Sequence, residues 1–146
     1  MAVLKNLADN ILDTFTIRCK NHYGPHLVSI VVYGSVARLT HNFNSDIDLL
    51  LIIKDLPNGR MSRMNDFAVL EKKMFNELQN AREKGWNIDL SPVIRKPEEV
   101  KTGGYFYLDM IDDAQILYDK DNFFFDFLKN LKQRLDEYGA EKRKWK

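Results

Sequence analysis

The sequence predicts an α/β (α+β) fold, in which a mixed β-sheet of about four strands is flanked by helices. The first observation is that apolar residues with helical spacing alternate along the chain with short runs of β-branched residues, an order typical of helices packed on a sheet. The second is the uninterrupted aliphatic run at 49–53, which favours a strand buried on both faces. No repeat, low-complexity tract or linker divides the chain, so residues 1–146 are predicted to form a single domain.

Length, charge and cysteine content narrow the class of protein. The chain has 146 residues, enough to bury a core of its own. Its 22 basic and 21 acidic residues nearly cancel, which gives no sign of a nucleic-acid or anionic membrane partner. A single cysteine, Cys19, excludes an internal disulfide and fits the reducing cytoplasm. We find neither a signal peptide nor an apolar run approaching the roughly 20 residues of a membrane helix, and we expect a cytoplasmic protein.

The first helix is predicted at 3–21, because apolar residues recur there at steps of three and four and so share one face. These residues are Leu4, Leu7, Ile11, Phe15 and Cys19. Cys19 is therefore expected in the core and not as a nucleophile. The Tyr-Gly-Pro sequence at 23–25 ends the helix, and the β-branched run at 27–34 predicts the first strand.

The remaining elements follow from the same two periodicities and from the turn residues between them. They are a strand at 46–53, a turn at 55–59, one long helix at 61–84, a strand at 86–94, a short helix at 96–100, a strand at 114–119 and a closing helix at about 122–139. Pro92 puts its end of the third strand near a sheet edge or a bulge. The core of the domain is predicted at about 27–119.

Asp46 and Asp48 open the second strand directly before its aliphatic run. Carboxylates beside a buried run are costly unless something compensates their charge. Successive strand residues alternate between faces, so both side chains are expected to point the same way, with Cα atoms about 6.5–7 Å apart. Two carboxylates at this spacing can converge on one hard cation such as Mg²⁺. A strand edge exposed to water would explain the same residues without a metal.

Gly34 and Ser35 stand at the end of the first strand, twelve residues before Asp46. Glycine lets a phosphate approach the backbone closely. If Ser35 caps a short helix that follows, the free N–H groups of that helix form an anion site. The pair is then predicted to hold a phosphate while the aspartates hold a metal ion, and an ordinary turn is the alternative.

A third acid, Asp89, lies between Ile88 and Leu90 in the third predicted strand. Phosphoryl transfer with two metal ions uses a carboxylate opposite the first pair, which binds the second ion and receives the proton of the attacking hydroxyl. Asp89 is the candidate for that role. The polar outer face of an edge strand is the alternative explanation.

These parts together resemble the signature of the DNA polymerase β-like nucleotidyltransferase superfamily: Gly-Ser, ten residues, and then Asp-Ile-Asp before a buried strand. Within it, the chain is similar to the minimal nucleotidyltransferases, from the first strand into the closing helix. Arg38 matches the arginine of the Gly-Ser-x-Ala-Arg pattern, which implies support of a triphosphate or of the loop; a plain surface arginine is the alternative. Leu39 stands where many members have glycine, so the conformation of the loop at 39–45 stays open.

The resemblance implies two Mg²⁺ ions and a nucleoside triphosphate, usually ATP, in the site. Gly34 and Ser35 would contact the β- and γ-phosphates of the triphosphate. Asp46 and Asp48 would bind both metal ions, and Asp89 would complete the second metal site. The implied reaction is attack of an acceptor hydroxyl on the α-phosphorus, with pyrophosphate leaving.

The acceptor is predicted from the size of the chain. Members that modify small molecules or nucleic acids generally carry an added domain for the acceptor, whereas this chain continues only briefly beyond Asp89. The resemblance therefore implies a minimal-nucleotidyltransferase antitoxin that adenylylates a HEPN-domain ribonuclease toxin on tyrosine. Two alternatives stay open: a non-catalytic domain that neutralises its partner by contact, and a stand-alone small-molecule nucleotidyltransferase, for example a homodimer that shares a cleft.

Two further features are not assigned to the site. The three phenylalanines at 123–125 cannot all be buried on one helix face, so an exposed aromatic there marks either a partner or dimer surface or local packing. The basic tail at 141–146 is expected to be solvated and frayed rather than bound to nucleic acid.

Overall fold

A mixed sheet forms the centre of the molecule. The structure is a computed structural model that describes residues 2–144, and their side chains through residue 139. Within this range the sheet has four strands in the order β3–β2–β1–β4. They are β1 Leu27–Tyr33, β2 Ile47–Ile53, β3 Leu90–Arg95 and β4 Gln115–Asp119. β1 pairs antiparallel with β2 and β4, and β2 pairs parallel with β3, which confirms the predicted mixed sheet.

Helices cover both faces of the sheet. On the first face lie α1 Ala2–Tyr23, α3 Arg60–Lys72 and α4 Phe75–Glu83. On the second face lie α5 Pro97–Lys101, α6 Met110–Asp113 and α7 Phe123–Lys144. A single helical turn, α2 Gly34–Ala37, follows β1 directly. None of the helices within residues 2–144 combines the length and the apolarity that crossing a bilayer requires.

Strand β2 is buried on both faces, which explains its aliphatic run. Leu49 and Leu51 face the core beneath α1, α3 and α4, which we call the first core. Leu50 and Ile52 face the core beneath α5, α6 and α7, which we call the second core. All four are fully buried, and burying each such side chain contributes about 1.5–3 kcal/mol. Because strand residues alternate between faces, the side chain of Asp48 is on the same face of the sheet as the second core.

The region predicted as one helix at 61–84 is two helices, so that prediction is wrong. The break falls at residues 73–74, between α3 and α4. Arg18 of α1 explains it, because its Nη1 donates a hydrogen bond to the carbonyl oxygen of Lys73 and another, of 2.7 Å, to Glu77 Oε2. A carbonyl released at the helix end is thereby satisfied by a side chain from a distant part of the chain.

Two acids predicted to lie inside strands lie just before them. β2 begins at Ile47, so Asp46 precedes it, and β3 begins at Leu90, so Asp89 precedes it. Residues 86–89 are an irregular segment, in which the Asn87 N–H and the Trp86 indole donate hydrogen bonds to carbonyl oxygens of the loop before β2. The strand boundaries predicted at 46 and 86 are corrected accordingly.

The closing helix is longer than predicted. α7 continues through Lys144 instead of ending near residue 139, and residues 145–146, the end of the predicted basic tail, lie outside the described residues. At the start of α7, Phe124 is buried and Phe125 is exposed. This confirms that the three phenylalanines at 123–125 are not buried together.

Cys19 lies in the first core, as its place in the helical repeat predicts. The residue is fully buried on α1. Burial raises the pKa of its thiol to about 12, so the thiol stays protonated at neutral pH and is not a nucleophile.

The outer edge of β3 is protected by a proline and by arginines. Pro92 has no N–H to offer to a further strand. The carbonyl oxygen of Ile94 accepts hydrogen bonds from Arg63 (3.2 Å) and from Arg95 (3.1 Å). Arg63 is almost completely buried, and its charge is compensated by a 2.8 Å ion pair with Glu99.

Glu99 makes the stability of this edge depend on pH. Burial alone would raise the pKa of Glu99, but hydrogen bonds from Arg63 and from the backbone of Lys96 outweigh it and hold the pKa below the ordinary value of 4.5. A depressed carboxyl pKa stabilises the folded state above the unfolded value, and this contribution is lost as the pH falls through the folded value. The ion pair therefore stabilises the protein at neutral pH and stops doing so in acid.

We expect Glu99→Gln to lower the free energy of unfolding at neutral pH by about 1–2 kcal/mol, less than the loss of a fully buried pair because the Glu99 side chain is partly exposed. Since the variant lacks the titrating carboxyl group, its stability should decline less between about pH 5 and pH 3 than that of the wild type. Urea unfolding across this range measures both effects. The exposed neighbour Glu98 is the control: Glu98→Gln should change neither, and an unaltered acid response in Glu99→Gln would contradict the assignment.

Candidate active site

Gly34 turns the chain out of β1 and leaves room for Asp48. Its φ of +74° is in the left-handed region that favours glycine. A Cβ atom at this position would lie 2.3 Å from Oδ2 of Asp48. The missing side chain therefore lets the Asp48 carboxylate rest against bare backbone, and any other residue would displace that carboxylate.

Ser35 lies inside the first turn of α2, and the prediction that it caps this helix is wrong. Tyr33 holds the N-cap position, and no side chain caps the helix there. The physical reason is the left-handed φ of Gly34, which turns the chain so that the helix begins two residues earlier than a Ser35 cap would require. Ser35 stays beside Gly34, half-buried, at the end of β1.

Asp46 and Asp48 interact through their charges at the open end of β2. Asp48 is half-buried and lies opposite Tyr33 of β1 and Ser91 of β3, whereas Asp46 is exposed. Burial raises the pKa of Asp48, and the negative charge of Asp46 raises it further. Arg38 acts in the opposite direction without cancelling the two effects. The two carboxylates therefore repel each other by more than Arg38 compensates.

The turn after α2 carries Arg38 and Leu39. Arg38 is exposed at the C-terminal end of α2, and its positive charge acts to lower the pKa of Asp48. Leu39 has a φ of +59°, so it adopts the left-handed conformation that glycine adopts most easily. This conformation costs a leucine about 1–2 kcal/mol. Leu39 thus holds a conformation in which glycine would be less strained.

The backbone of Asp89 lies beside Asp46 and Asp48, but the carboxylate of Asp89 pairs with another residue. The carbonyl oxygen of Asp89 accepts a 3.0 Å hydrogen bond from the N–H of Ile47, the residue between the two acids. Its carboxylate forms a largely exposed ion pair of 3.1 Å with Arg82 on α4. Among the side chains that the structure describes, those of residues 2–139, no three His, Cys, Asp or Glu come close enough together to hold a metal ion. The structure thus brings Asp46 and Asp48 together and leaves the side chain of Asp89 apart.

The donor set at Asp46 and Asp48 fits a hard divalent cation. Carboxylate oxygens suit Mg²⁺, and one or two carboxylates suffice when substrate oxygens and water complete its shell. Asp48 rests against the bare backbone of Gly34, and a cation would relieve the repulsion between the two acids. The exposed ion pair of Asp89 with Arg82 is of a kind that contributes only about 0–1 kcal/mol, so a cation can compete for Asp89.

Sequence reasoning missed the aromatic and basic residues around Asp48. Burial and the charge of Asp48 raise the pKa of the Tyr33 phenol, while Arg95 opposes them. Phe106 meets Tyr33 edge-on, with 5.3 Å between the ring centroids. These residues come from β1, β3 and the loop after α5, and only the strand register brings them together. The one local signal is that Tyr33 directly precedes the Gly-Ser pair.

The fold and its acidic site define the class of this protein, a nucleotidyltransferase. A family model described as the nucleotidyltransferase domain matches residues 14–122. The chain belongs to this family, and it is a nucleotidyltransferase enzyme.

More particularly, the chain is similar to a protein of Methanocaldococcus jannaschii that is provisionally named a protein adenylyltransferase. The two are 30% identical over 148 residues, which cover 97% of this chain and 95% of the relative. Together with the family match, this similarity confirms the predicted resemblance to nucleotidyltransferases.

Solved structures have the same fold. A chain from a toxin–antitoxin complex crystallised with AMP-PNP matches with a TM-score of 0.53 at 17% identity, covering 89% of this chain and 91% of that one. A chain from the complex of a tri-AMPylated Shewanella oneidensis HEPN toxin with an MNT antitoxin gives a TM-score of 0.50 at 14% identity and covers 92% of both chains. At these identities the likeness establishes the fold.

A matched pair of glycine variants tests the contact between Gly34 and Asp48. Gly34 and Gly103 both have a φ of +74°, but a Cβ atom on Gly103 would meet nothing within 4 Å. We expect both Gly34→Ala and Gly103→Ala to lose about 1–2 kcal/mol of unfolding free energy, because alanine is strained in the left-handed region. Only Gly34→Ala should also weaken ATP binding, by about tenfold or more, because its methyl group displaces the Asp48 carboxylate.

Urea unfolding measures the stability of the two variants, and isothermal titration with ATP and Mg²⁺ measures their binding. The expected pattern is similar stability with different ATP affinity. Equal ATP affinity would mean that the contact between Gly34 and Asp48 has no role in the site.

Proposed function

We propose that this nucleotidyltransferase transfers AMP from ATP to a tyrosine hydroxyl of a HEPN-domain toxin, in a reaction that requires Mg²⁺. The observation that carries the proposal is the meeting of β1 and β2, where Asp48 rests against the bare backbone of Gly34, and where burial and then the charge of Asp46 raise the pKa of Asp48. Acidic oxygens for metal ions are thereby next to a turn that can admit phosphates. The provisional name of the Methanocaldococcus jannaschii relative, a protein adenylyltransferase, supports AMP as the group transferred.

The turn after β1 is proposed to hold the triphosphate. Gly34 has no side chain to block the approach of a phosphate, and the adjacent Ser35 offers a hydroxyl, so the pair would contact the β- and γ-phosphates. Arg38, exposed at the other end of the same turn, would add positive charge beside them. The α-phosphate would then lie toward the aspartates.

Asp46, Asp48 and Asp89 are proposed to hold two Mg²⁺ ions, Asp89 after its release from Arg82. When bound, these ions neutralise charge on the phosphoryl oxygens. The acceptor oxygen forms a bond to the α-phosphorus, the bond from that phosphorus to the bridging oxygen of the β-phosphate breaks, and pyrophosphate leaves in line. The proton of the acceptor hydroxyl passes to the carboxylate of Asp89. The protein contributes mainly position and charge.

Similar folds support a protein as the acceptor. The complex from Shewanella oneidensis contains a tri-AMPylated HEPN toxin together with an MNT antitoxin. By analogy, we propose a HEPN toxin as the partner of this chain, with residues 1–146 acting as one domain around a catalytic core at 27–119. We expect the reaction in the cytoplasm, where the free Cys19 would stay reduced.

The test is transfer of label from α-³²P-ATP, with Mg²⁺, to a purified HEPN-domain toxin from the same host. We expect the wild type to label the toxin. The double variant Asp46→Asn and Asp48→Asn should lose about a hundredfold or more of the rate, because metal ions supply several kcal/mol of transition-state stabilisation. Asp9→Asn with Asp13→Asn is the matched control, since it removes two exposed acids of α1 and should label like the wild type.

The other outcomes separate the alternatives. Unchanged labelling by the Asp46 and Asp48 variant would refute the metal site. Mg²⁺-dependent ATP binding without any labelled protein would indicate a small-molecule acceptor. A wild type that binds its toxin partner but no ATP would indicate a domain that acts by contact alone.

Arg82 should compete with the metal for Asp89. Because Arg82→Gln removes the cation that pairs with Asp89, we expect the variant to reach half-maximal activity at about two- to fivefold lower Mg²⁺, the range for an exposed ion pair. A Mg²⁺ titration of AMP transfer measures this. Lys84→Gln, which removes an exposed charge just beyond the end of the same helix, should leave the titration unchanged. A higher Mg²⁺ requirement in Arg82→Gln would mean that Arg82 orients Asp89 instead of competing for it.

A further inference from the structure

A buried tryptophan joins the loop that carries Asp46 to the segment that carries Asp89. Trp86 is fully buried in the first core. Its indole Nε1–H donates a 2.7 Å hydrogen bond to the carbonyl oxygen of Ser45, the residue directly before Asp46. Trp86 also stands three residues before Asp89. It therefore contacts the backbone next to one predicted site acid and belongs to the same short segment as another.

His41 connects the same loop to the first helix. Its imidazole is buried and stacks on the Trp86 ring, with 5.4 Å between centroids and 29° between planes. Its Nε2 lies 3.3 Å from the carbonyl oxygen of Leu4 on α1. Through His41, the loop before β2 is thus attached to Trp86 and to α1.

Backbone hydrogen bonds hold the two segments side by side. The N–H of Asn87 donates to the carbonyl oxygen of Phe43 (2.8 Å), and the N–H of Ile47 donates to that of Asp89 (3.0 Å). The side-chain amide of Asn87 donates to Asn44 Oδ1 (3.3 Å). The segment at 86–89 is therefore bonded to the loop before β2 along its length, and the backbones of the two acids are held as one unit.

The indole N–H of Trp86 forms a hydrogen bond that packing of the core does not require. A buried N–H left unpaired costs about 1–3 kcal/mol, whereas phenylalanine would bring an aromatic ring into this core without a polar group. The acceptor here is the Ser45 carbonyl. Because this carbonyl and the N–H of Asp46 belong to one planar peptide group, fixing the carbonyl fixes the direction in which the chain enters Asp46.

We propose that Trp86 is a positioning residue for the acidic site, which sets the Ser45–Asp46 peptide plane and so orients Asp46 relative to Asp48 and Asp89 for binding a divalent cation. This inference rests on the proposed function. Trp86 does not touch the reacting atoms, and it acts through the backbone of a ligand. Partners of metal ligands typically change metal affinity or activity by about 10–100-fold when they are replaced.

The decisive variant is Trp86→Phe, which keeps an aromatic ring in the core and removes the N–H donor. We expect its affinity for Mn²⁺, measured by electron paramagnetic resonance as a substitute for Mg²⁺, to fall about tenfold or more. Hydrogen exchange of the amides at 42–47 should become faster, while exchange within β1 stays the same. AMP transfer should recover toward the wild-type rate at high Mn²⁺, because orientation for the cation is what the variant has lost.

Phe67→Leu is the matched control. Phe67 is a fully buried aromatic residue of the same core, so its replacement should lower stability while Mn²⁺ affinity stays at the wild-type value. An equal loss of Mn²⁺ affinity in Phe67→Leu would overturn the proposal, because reduced stability would then explain both variants. Unchanged Mn²⁺ affinity in Trp86→Phe would overturn it as well, since Trp86 would be a core residue and no more.

Failure of the proposed function would look different, because the wild type itself would then bind no Mn²⁺ and transfer no AMP. Hydrogen exchange decides the role of Trp86 in that case. Faster exchange at 42–47 in Trp86→Phe would support control of the Ser45–Asp46 peptide by the indole. Unchanged exchange would overturn it.

Discussion

The burial of β2 on both faces is the constraint on which the rest of the structure depends. The strand lies between β1 and β3, and its residues from Leu49 onward are enclosed by the two cores. A register slip of one residue would move every side chain of β2 to the opposite face. Asp48 would then lie in a core without water, and the free energy needed to bury its ionised carboxylate there is prohibitive. The register that avoids this cost puts Asp48 beside Tyr33, Ser91 and Gly34. Position at the site is thus a result of packing in the core.

Features governed by burial or by local sequence could be predicted. The four strands and most helices follow from apolar spacing, because removal of those side chains from water dominates where they lie. The Gly34-Ser35 and Asp-Ile-Asp motifs come together because β1 and β2 are neighbours, and the chain supplies both motifs at strand ends. Leu39 marks the limit of this reasoning, since a leucine with φ of +59° is held by its surroundings against its own preference.

Features governed by contacts between distant residues could not be predicted. No glycine or proline marks the break at 73–74, and the Arg18 side chain that satisfies the freed carbonyl lies on another helix. Trp86 is of a residue type that favours strands, yet its side chain donates a hydrogen bond to the loop before β2. The pairing of Asp89 with Arg82 depends on how α4 leads into β3. In the first two cases a side-chain partner far along the chain outweighs the local pattern, and in the third the partner lies seven residues away on a neighbouring helix.

The protected edge of β3 has a consequence for how the molecule meets other proteins. An open sheet edge is a template on which a further strand can add, and such pairing tends toward fibres or lasting complexes. Here Pro92 withholds a donor, and Arg63 and Arg95 already occupy the carbonyl of Ile94. This edge begins directly after Asp89. Addition of a further strand is therefore disfavoured here, and a macromolecule that docks at this edge would be recognised mainly through side chains.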